Sequence, residues 1–352
     1  MKYTFLGSTG VKVSRIALGT FPIGVAPLEA DAPAFVNRAI DLGINVIDTA
    51  NSYGNQSRFD RPGAPTAAQR KSAEEIVGKA IKGRRHEVIL CTKVQEQIGV
   101  GPNDGGIAGP GLTRYHIFNQ VEESLRRFGT DHIDVYHMHH PEPSTPIEES
   151  LRAFDDLVHQ GKIRYVAISN FSAWEMTQVH YVAAMNGFNK PVLNQIQYNL
   201  IRREPEDDLV PAAKALGMSL TAYRPLAGGF LTGLAALERQ PGEHRERILR
   251  VSDAPGRSPG GGYGYNRSDL EVAQKLEELA HKFGHKPFHL ALAWLTSRPA
   301  LAIAVVGPEK ISEIEDNAKA MDIDFTPEQM KEIDALTAPP PPPAPRPVKP
   351  VQ

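Results

Sequence analysis

Short apolar runs alternate with amphipathic stretches along most of this chain. Eight runs of aliphatic and β-branched residues predict strands, and they cover 15–19, 45–50, 88–93, 133–139, 165–169, 192–198, 219–224 and 302–306. Stretches with helical periodicity lie between these runs, among them 31–43, 72–83, 118–129, 146–161 and 207–217. Pro146 in a first turn, and Gly161 or Gly217 after a last turn, are the expected signals for helix starts and stops.

The order of these elements predicts the fold. Nearly all the strand-like runs are apolar throughout, which is typical of parallel strands buried on both faces. Eight such strands alternating with helices predict an α/β fold, a (β/α)8 barrel of the TIM type, and residues 3–14 predict an N-terminal β-hairpin. The competing doubly wound sheet would favour a G-x-G-x-x-G turn after the first strand, and LGTFPIG at 18–24 is not one. We predict a single barrel over 1–337 and a Pro-rich tail over 338–352.

Composition limits the partners and the compartment. The 352 residues are 41% hydrophobic and 23% charged, which is ordinary for a globular protein. A net charge of −2 gives no electrostatic reason to expect nucleic acid or an anionic membrane as a partner. Cys91 is the only cysteine, so no internal disulfide is possible, and residues 1–14 contain no long apolar stretch. We therefore expect a cytoplasmic protein.

Four proton-active residues stand at the ends of three of the predicted strands. Asp48, Lys93 and His139 each close an apolar run, and Tyr53 lies in the loop after the run that ends near Asp48. A carboxylate, an ammonium, an imidazole and a phenol together suit proton delivery to a carbonyl oxygen while hydride arrives from a cofactor. Lys93 would favour the phenolate of Tyr53, and Asp48 would pair with Lys93. The alternative is a structural ion pair beside a loop aromatic, but the shared strand-end positions argue against it.

Three histidines cluster in the segment YHMHHPEP. On a strand, His137 and His139 share one face and His140 takes the other. Two histidines on one face also suit a metal-dependent barrel hydrolase, but no matching acidic residue or second histidine pair is evident on another strand, so no metal is expected. We expect His139 to reach the carbonyl oxygen, His140 to contact the substrate and His137 to be structural.

Three long loops would emerge at the C-terminal face of the barrel, where barrel active sites lie. They cover 54–71, 96–115 and 252–267, and loops of this length usually shape a pocket. The first loop carries three arginines that either favour a polar or anionic substrate or solvate the surface: Arg58, Arg61 and Arg70.

The later strands end in groups that suit a nicotinamide. Ser169 and Asn170 close the fifth strand, Gln195 lies in the sixth, and Tyr223 ends the seventh. Amide and hydroxyl groups can hold a carboxamide, and an aromatic ring can stack on the nicotinamide. Residues 305–317 follow the eighth strand with a helix start, which is the usual phosphate site of this architecture.

With these residues, the chain resembles the aldo-keto reductases, in particular their bacterial and potassium-channel-β-subunit-like branch. The resemblance covers about residues 1–337, and its most specific segments are DTANSYG, CTK, DHIDVYHMHHPEP, GKIRYVAISNFS, NQIQYNL, TAYRPLAGGFLTG and VVGPEKISEIEDN. It implies a barrel that reduces an aldehyde, ketone or sugar-like carbonyl with NADPH, less often NADH, and without a metal. It also implies a catalytic tetrad of Asp48, Tyr53, Lys93 and His139, with Tyr53 as the general acid.

The resemblance further implies the ligand-contacting residues. Those assigned to the substrate are Phe21 and His140, and those assigned to the cofactor are Gly19, Thr20, Ser169, Asn170, Gln195, Tyr223, Arg224, Pro225, Leu226, Gly228, Leu231, Gly307, Lys310, Glu313 and Asn317.

Two residues depart from the family pattern. The family often carries Arg or Gln where this chain has Glu313, whose carboxylate would repel a 2′-phosphate, whereas Lys310 would attract it. NADPH is therefore expected and NADH stays possible. Trp or Arg is common at the position of His140, so the pocket wall differs. The alternative function is that of a redox-sensing, cofactor-binding subunit with little turnover.

Overall fold

The structure, a computed structural model, describes residues 1–337 apart from 58–59, 61, 100, 106–110 and 234–266. Most of the predicted loop over 252–267 and the whole predicted tail over 338–352 lie outside these residues. The division into a barrel and a tail therefore stays a prediction.

The predicted (β/α)8 barrel is confirmed. An antiparallel hairpin of β1 (Tyr3–Phe5) and β2 (Lys12–Ser14) precedes eight parallel strands that form a closed barrel. Each strand pairs with the next along the chain, and the last strand closes the circle by pairing with the first. These strands are β3 (Ile16–Gly19), β4 (Val46–Asp48), β5 (Ile89–Val94), β6 (Ile133–Met138), β7 (Ile163–Ser169), β8 (Leu193–Gln197), β9 (Ser219–Tyr223) and β10 (Leu301–Val306).

Helices lie around the barrel, and several of them begin at a residue whose side chain caps the first turn. Ser72, Ser172 and Thr326 each form a capping box with the residue three positions on. No helix within the described residues combines the length and apolar character needed to cross a membrane. The helices are α1 (Ala32–Asp41), α2 (Ala73–Ala80), α3 (Arg114–Phe128), α4 (Ile147–His159), α5 (Ala173–Asn186), α6 (Leu209–Leu216), α7 (Arg267–Phe283), α8 (Pro287–Thr296), α9 (Ile311–Lys319) and α10 (Pro327–Asp334).

Apolar side chains fill both sides of the barrel wall. One cluster occupies the interior, and it contains Ala17, Val46, Cys91, Val135, Ala167 and Leu193. Leu6 and Val13 of the hairpin join this cluster and close the N-terminal end of the barrel. A larger cluster fills the space between strands and helices, where Tyr136 stacks on Phe154 with ring centroids 5.1 Å apart. Burial on both faces explains why the strand sequences do not alternate.

Candidate active site

A layer of polar side chains lies directly above the apolar interior of the barrel. Side chains on a strand alternate between its two faces, so the residue two positions after an interior residue also points inward. Each strand from β4 to β8 has a polar residue two positions after its interior apolar residue. These polar residues are Asp48, Lys93, His137, Ser169 and Gln195. The C-terminal end of the barrel is therefore lined by groups that can exchange protons or hydrogen bonds.

Asp48 and Lys93 form a buried ion pair at the centre of this layer, as predicted. The Nζ atom of Lys93 lies 2.6 Å from Asp48 Oδ1 and 2.7 Å from the Thr49 carbonyl oxygen, and Lys93 is fully buried. Gln195 Nε2 donates to the other Asp48 oxygen at 2.7 Å. Burial opposes the charge of Lys93, but Asp48 and Tyr53 outweigh it and the pKa of Lys93 is raised. The ammonium is therefore charged inside the barrel.

Tyr53 lies beside this pair at the mouth of the barrel. The Lys93 ammonium is 5.2 Å from the centroid of the half-buried Tyr53 ring. Phe21 packs edge-on against the same ring at 5.0 Å, and the His139 ring lies 6.0 Å away. The structure thus brings the four predicted tetrad residues together, with the predicted substrate residue Phe21 beside them.

The three histidines separate into two environments. His137 is buried, its Nδ1 lies 3.2 Å from the Thr92 carbonyl oxygen, and burial lowers the pKa of His137 to about 3. A neutral buried histidine fits the structural role expected of it. His139 and His140 follow the end of β6, and their rings stack with centroids 4.7 Å apart and planes 15° apart. These two rings line the mouth of the barrel.

Glu96 joins the two stacked histidines, and the sequence interpretation missed it. Its Oε1 atom lies 2.6 Å from His139 Nδ1 and 3.8 Å from His140 Nε2. The expectation that no acidic residue from another strand accompanies these histidines is therefore wrong. Glu96 lies in the loop two residues after β5 ends at Val94, where no strand periodicity indicates the direction of its side chain.

The geometry of this trio suits a metal site poorly. Within the described part of the chain, Glu96, His139 and His140 bring three metal-ligand atoms to within 4.8 Å of one another. A histidine binds a metal through a lone pair in the plane of its ring. The His139 and His140 rings are stacked with their planes 15° apart, so their lone pairs lie in nearly parallel planes. The two rings therefore cannot bind one ion together unless one of them rotates.

The predicted nicotinamide residues form one corner of the mouth. The Ser169 hydroxyl donates to the Gln195 carbonyl oxygen at 2.9 Å, and Asn170 Nδ2 donates to the His139 carbonyl oxygen at 2.9 Å. The Tyr223 hydroxyl donates to Asn170 Oδ1 at 2.8 Å. These bonds fix the side chains in place.

Gln197 is a second residue that the sequence interpretation missed. It lies on β8 two positions beyond Gln195, is 9% exposed, and neither polar atom of its side chain has a hydrogen-bond partner. A buried amide without partners is costly, so this corner favours a polar ligand. The observation fits the nicotinamide cofactor expected from the sequence.

The remaining predicted residues differ in what they can offer a ligand. Gly19 and Thr20 are buried at the end of β3, where a Cβ on Gly19 would lie 2.9 Å from a carbonyl oxygen of β10. Arg224 and Gly228 are exposed in the turn after β9, Leu226 is half-buried and Pro225 is buried. Leu231 is fully buried, backbone included, so it exposes no atom to a cofactor.

The predicted adenosine end lies at the start of α9. Gly307, Lys310 and Glu313 are exposed there, and Asn317 is buried one turn further on. The backbone N–H of Glu309 donates to Glu313 Oε2 at 2.7 Å. The Glu313 carboxylate is thus bound to the loop, while Lys310 is exposed at the N-cap of the helix.

Arg70 organises the loop after Tyr53. Its guanidinium donates to the carbonyl oxygens of Gly54 and Gln56, and to Asp60 Oδ1, each at 2.7 Å. The Arg70 side chain is 1% exposed, so it is not available to an anionic substrate. Arg58 and Arg61 lie outside the described residues.

A family model described as the Aldo/keto reductase family matches residues 15–338. The chain is 35% identical over 339 residues to an uncharacterized oxidoreductase of Bacillus subtilis (strain 168), covering 96% of each chain. It is 33% identical to a putative voltage-gated potassium channel subunit beta of Schizosaccharomyces pombe, over 95% of this chain and 92% of that protein. It is 32% identical to a versiconal hemiacetal acetate reductase of Aspergillus parasiticus, over 95% of this chain and 96% of that protein.

Proposed function

The chain belongs to the aldo/keto reductase family, and from that premise we propose that it is a cytoplasmic, NADPH-dependent reductase. Its substrate is an aldehyde, a ketone or a sugar-like carbonyl, which it reduces to the alcohol with Tyr53 as the general acid. When bound, the reduced nicotinamide supplies the hydride that the carbonyl carbon accepts. No nucleic acid or membrane takes part in this reaction.

The observation that supports this proposal most is the placement of Tyr53 beside a buried, charged lysine. A phenol is a weak acid, and it gives up its proton more readily when a cation stabilises the phenolate that remains. The Lys93 ammonium lies 5.2 Å from the centre of the Tyr53 ring, and Asp48 holds it at 2.6 Å. Burial strengthens this effect, because little water screens the charges.

The other polar residues position the carbonyl group. His139 stands 6.0 Å from the Tyr53 ring, measured between ring centroids, so one oxygen atom between them can bond to both side chains. Phe21 and His140 form the outer wall of the pocket, where Phe21 is 45% exposed. Asn170, Tyr223 and the unpartnered amide of Gln197 suit the polar edge of the nicotinamide.

NADPH is the proposed cofactor because of the charges near the start of α9. Lys310 is exposed and can approach a 2′-phosphate. The Glu313 carboxylate accepts a backbone N–H at 2.7 Å, which partly offsets its repulsion of that phosphate.

Cofactor titration followed by a carbonyl panel tests this proposal. Protein fluorescence quenching and nicotinamide emission would be recorded with NADPH and with NADH, for the wild type and for Lys310→Met. We expect the wild type to bind NADPH more tightly, and Lys310→Met to lose most of that preference without losing NADH affinity. Turnover of neutral aldehydes and ketones should follow. Binding of neither cofactor would refute the proposal.

A second candidate function is suggested by the relative named as a potassium channel subunit beta. A protein of that type would bind the cofactor and sense its redox state with negligible turnover. A single-turnover experiment separates the two functions: rapid oxidation of bound NADPH by a carbonyl supports the reductase, whereas stable bound NADPH across the panel supports the binding subunit.

A further inference from the structure

A buried ion pair lies on the helix side of the barrel wall, behind the strand that carries Lys93. Glu74 of α2 is fully buried, and its Oε2 accepts a hydrogen bond from Arg127 Nη1 of α3 at 3.0 Å. Its Oε1 accepts the hydroxyl of Thr92 at 2.6 Å. Thr92 and Lys93 are consecutive on β5, so their side chains take opposite faces of the strand. No step of the proposed mechanism uses this pair.

Arg127 also holds the turn that leads to Tyr53. Its Nη1 atom donates to the Asn51 carbonyl oxygen at 3.3 Å, so a side chain that is 14% exposed bridges Glu74 and Asn51. An arginine Nη1 carries two N–H groups, so one nitrogen can serve both acceptors. Asn51 lies two residues before Tyr53. Arg127 thus connects a buried carboxylate to the backbone of this turn.

Gln120 holds the same turn through a side chain. Asn51 Nδ2 donates to Gln120 Oε1 at 3.0 Å, and the two residues are 2% and 6% exposed. Gln120 and Arg127 are seven residues apart on α3, so they lie on the same face of that helix. The Asn51 N–H donates to the Lys93 carbonyl oxygen at 3.2 Å. Asn51 is therefore fixed by its side chain, its carbonyl oxygen and its amide.

A second path reaches Tyr53 through the first turn of α2. The backbone N–H of Ala73 donates to the Tyr53 carbonyl oxygen at 2.9 Å, and Glu74 is the next residue. Thr92 and Arg127 hold the Glu74 carboxylate, and with it this first turn of the helix. The backbone of Tyr53 is thus tied to the buried pair from both sides.

We propose that Glu74, Gln120 and Arg127 are positioning residues for the general acid. They hold Asn51 and the first turn of α2, and they thereby place the Tyr53 hydroxyl where it can reach the carbonyl oxygen. The three residues act on Tyr53 through the backbone rather than by contact with the substrate. The proposal rests on the reductase function argued above and adds a set of supporting residues to it.

The buried pair fixes directions more than it adds stability. Burial raises the pKa of Glu74, although the charge of Arg127 and the hydrogen bond from Thr92 oppose the rise. The attraction within such a pair often does no more than offset the cost of burying its charges. A guanidinium is planar and presents its N–H groups in a fixed fork, so the pair sets the direction from which Arg127 approaches Asn51. A displacement of about 1 Å can lower a rate about 10²-fold, so a small shift of the turn would be measurable in turnover.

Two substitutions release Asn51 from different sides. Gln120→Met removes the acceptor of the Asn51 side chain, keeps the length of the residue and buries no new charge. Arg127→Lys keeps a cation beside Glu74 but loses the planar group that reaches both acceptors. The single-turnover rate at which para-nitrobenzaldehyde oxidises bound NADPH should fall about 10-fold or more in each variant, while the aldehyde KM and the NADPH affinity stay within about twofold of wild type.

Arg85→Lys is the matched control. The Arg85 side chain is 19% exposed, pairs with Asp134 at 2.8 Å and donates to two backbone carbonyl oxygens. It precedes β5 and β6, at the end of the barrel opposite to Tyr53. The control should lose stability to urea about as much as Arg127→Lys does, but it should keep the wild-type rate. An equal loss of rate in the control would show a merely structural role and overturn the proposal, as would wild-type rates in both Gln120→Met and Arg127→Lys.

A second readout needs no turnover and separates this proposal from the reductase function. NMR of the protein with labelled tyrosine would follow the ring signals of Tyr53, which are identified by their loss in Tyr53→Phe. The ring centroids of Phe21 and His139 lie 5.0 Å and 6.0 Å from that of Tyr53, so a shift of Tyr53 relative to them changes these signals. We expect the signals to move in Gln120→Met and Arg127→Lys and to stay in place in the control. Unmoved signals in the first two variants would refute the positioning role, whether or not any carbonyl is reduced.

Discussion

At the scale of single residues, the ion pair of Asp48 and Lys93 adds little net stability through its attraction alone. Taking two charges out of water costs several kcal/mol per ion, and their attraction often does no more than offset that cost. Here both Asp48 oxygens and the Lys93 ammonium have short hydrogen bonds, which makes the arrangement tolerable. Removing either partner would leave an uncompensated buried charge, at about 3–5 kcal/mol.

His137 makes the stability of the fold depend on pH. The pKa of His137 falls from 6.5 to about 3 on burial, so the unfolded chain takes up a proton below pH 6.5 while the folded chain does not until about pH 3. Stability is thus lost as the pH falls through this window. At about pH 5 the loss from His137 is about 2 kcal/mol.

Urea unfolding near pH 7 and at about pH 5 checks this expectation in wild type and His137→Gln. The drop in unfolding free energy between the two pH values should be smaller in the variant by about 2 kcal/mol. Burial also lowers the pKa values of His116, His180 and His289. Both proteins contain these histidines, so their contributions to the pH dependence cancel in the comparison. Equal drops would contradict a neutral His137.

Most of the polar layer could be predicted from the sequence, and Glu96 could not. Asp48, Lys93 and His139 stand at the ends of apolar runs, so their shared position follows from strand alternation and the barrel. Glu96 lies just beyond its strand, where the loop conformation decides the direction of the side chain. No periodicity in the sequence fixes that direction.

At the scale of elements, strands and helix ends follow local signals closely. The predicted run at 133–139 becomes β6 (Ile133–Met138), and the run at 219–224 becomes β9 (Ser219–Tyr223). The predicted helix at 118–129 begins earlier, at Arg114, because the Thr113 side chain caps it by accepting the backbone N–H of His116. Loops carry no such repeating signal, which is why the bonding of Arg70 was not foreseen.

The loop after Tyr53 depends on Arg70 for its shape. A guanidinium reaches several acceptors in fixed directions, and an ammonium cannot reproduce that geometry. Arg70→Lys should therefore lower the unfolding free energy by about 2 kcal/mol or more, speed proteolysis within the loop and reduce kcat/KM for the carbonyl. Thermal unfolding and limited proteolysis would measure the first two effects.

Arg38→Lys is the control for this prediction. It makes the same substitution in a half-exposed pair with Glu315, where the Arg38 side chain is 42% exposed. A surface pair of this kind contributes about 0–1 kcal/mol. Equal behaviour of the two variants would contradict the role of Arg70.

At the scale of the whole molecule, the two ends of the barrel carry different kinds of side chains. The hairpin and the interior apolar cluster close the N-terminal end, while the polar layer and the loops occupy the C-terminal end. The closed fold could be predicted because eight apolar runs alternating with helices admit few other arrangements. The substrate could not be predicted, because it depends on loops whose side chains are set by contacts such as those of Arg70 and Glu96.

The most direct test of the central claim compares the Tyr53→Phe variant with the wild type. Phe keeps the aromatic ring that contacts Phe21, His139 and Lys93, and it removes only the hydroxyl group. If Tyr53 is the general acid, turnover of a reactive aldehyde should fall by about 10²–10⁴-fold while NADPH affinity changes little. Unchanged turnover in Tyr53→Phe, with the cofactor bound normally, would contradict this account.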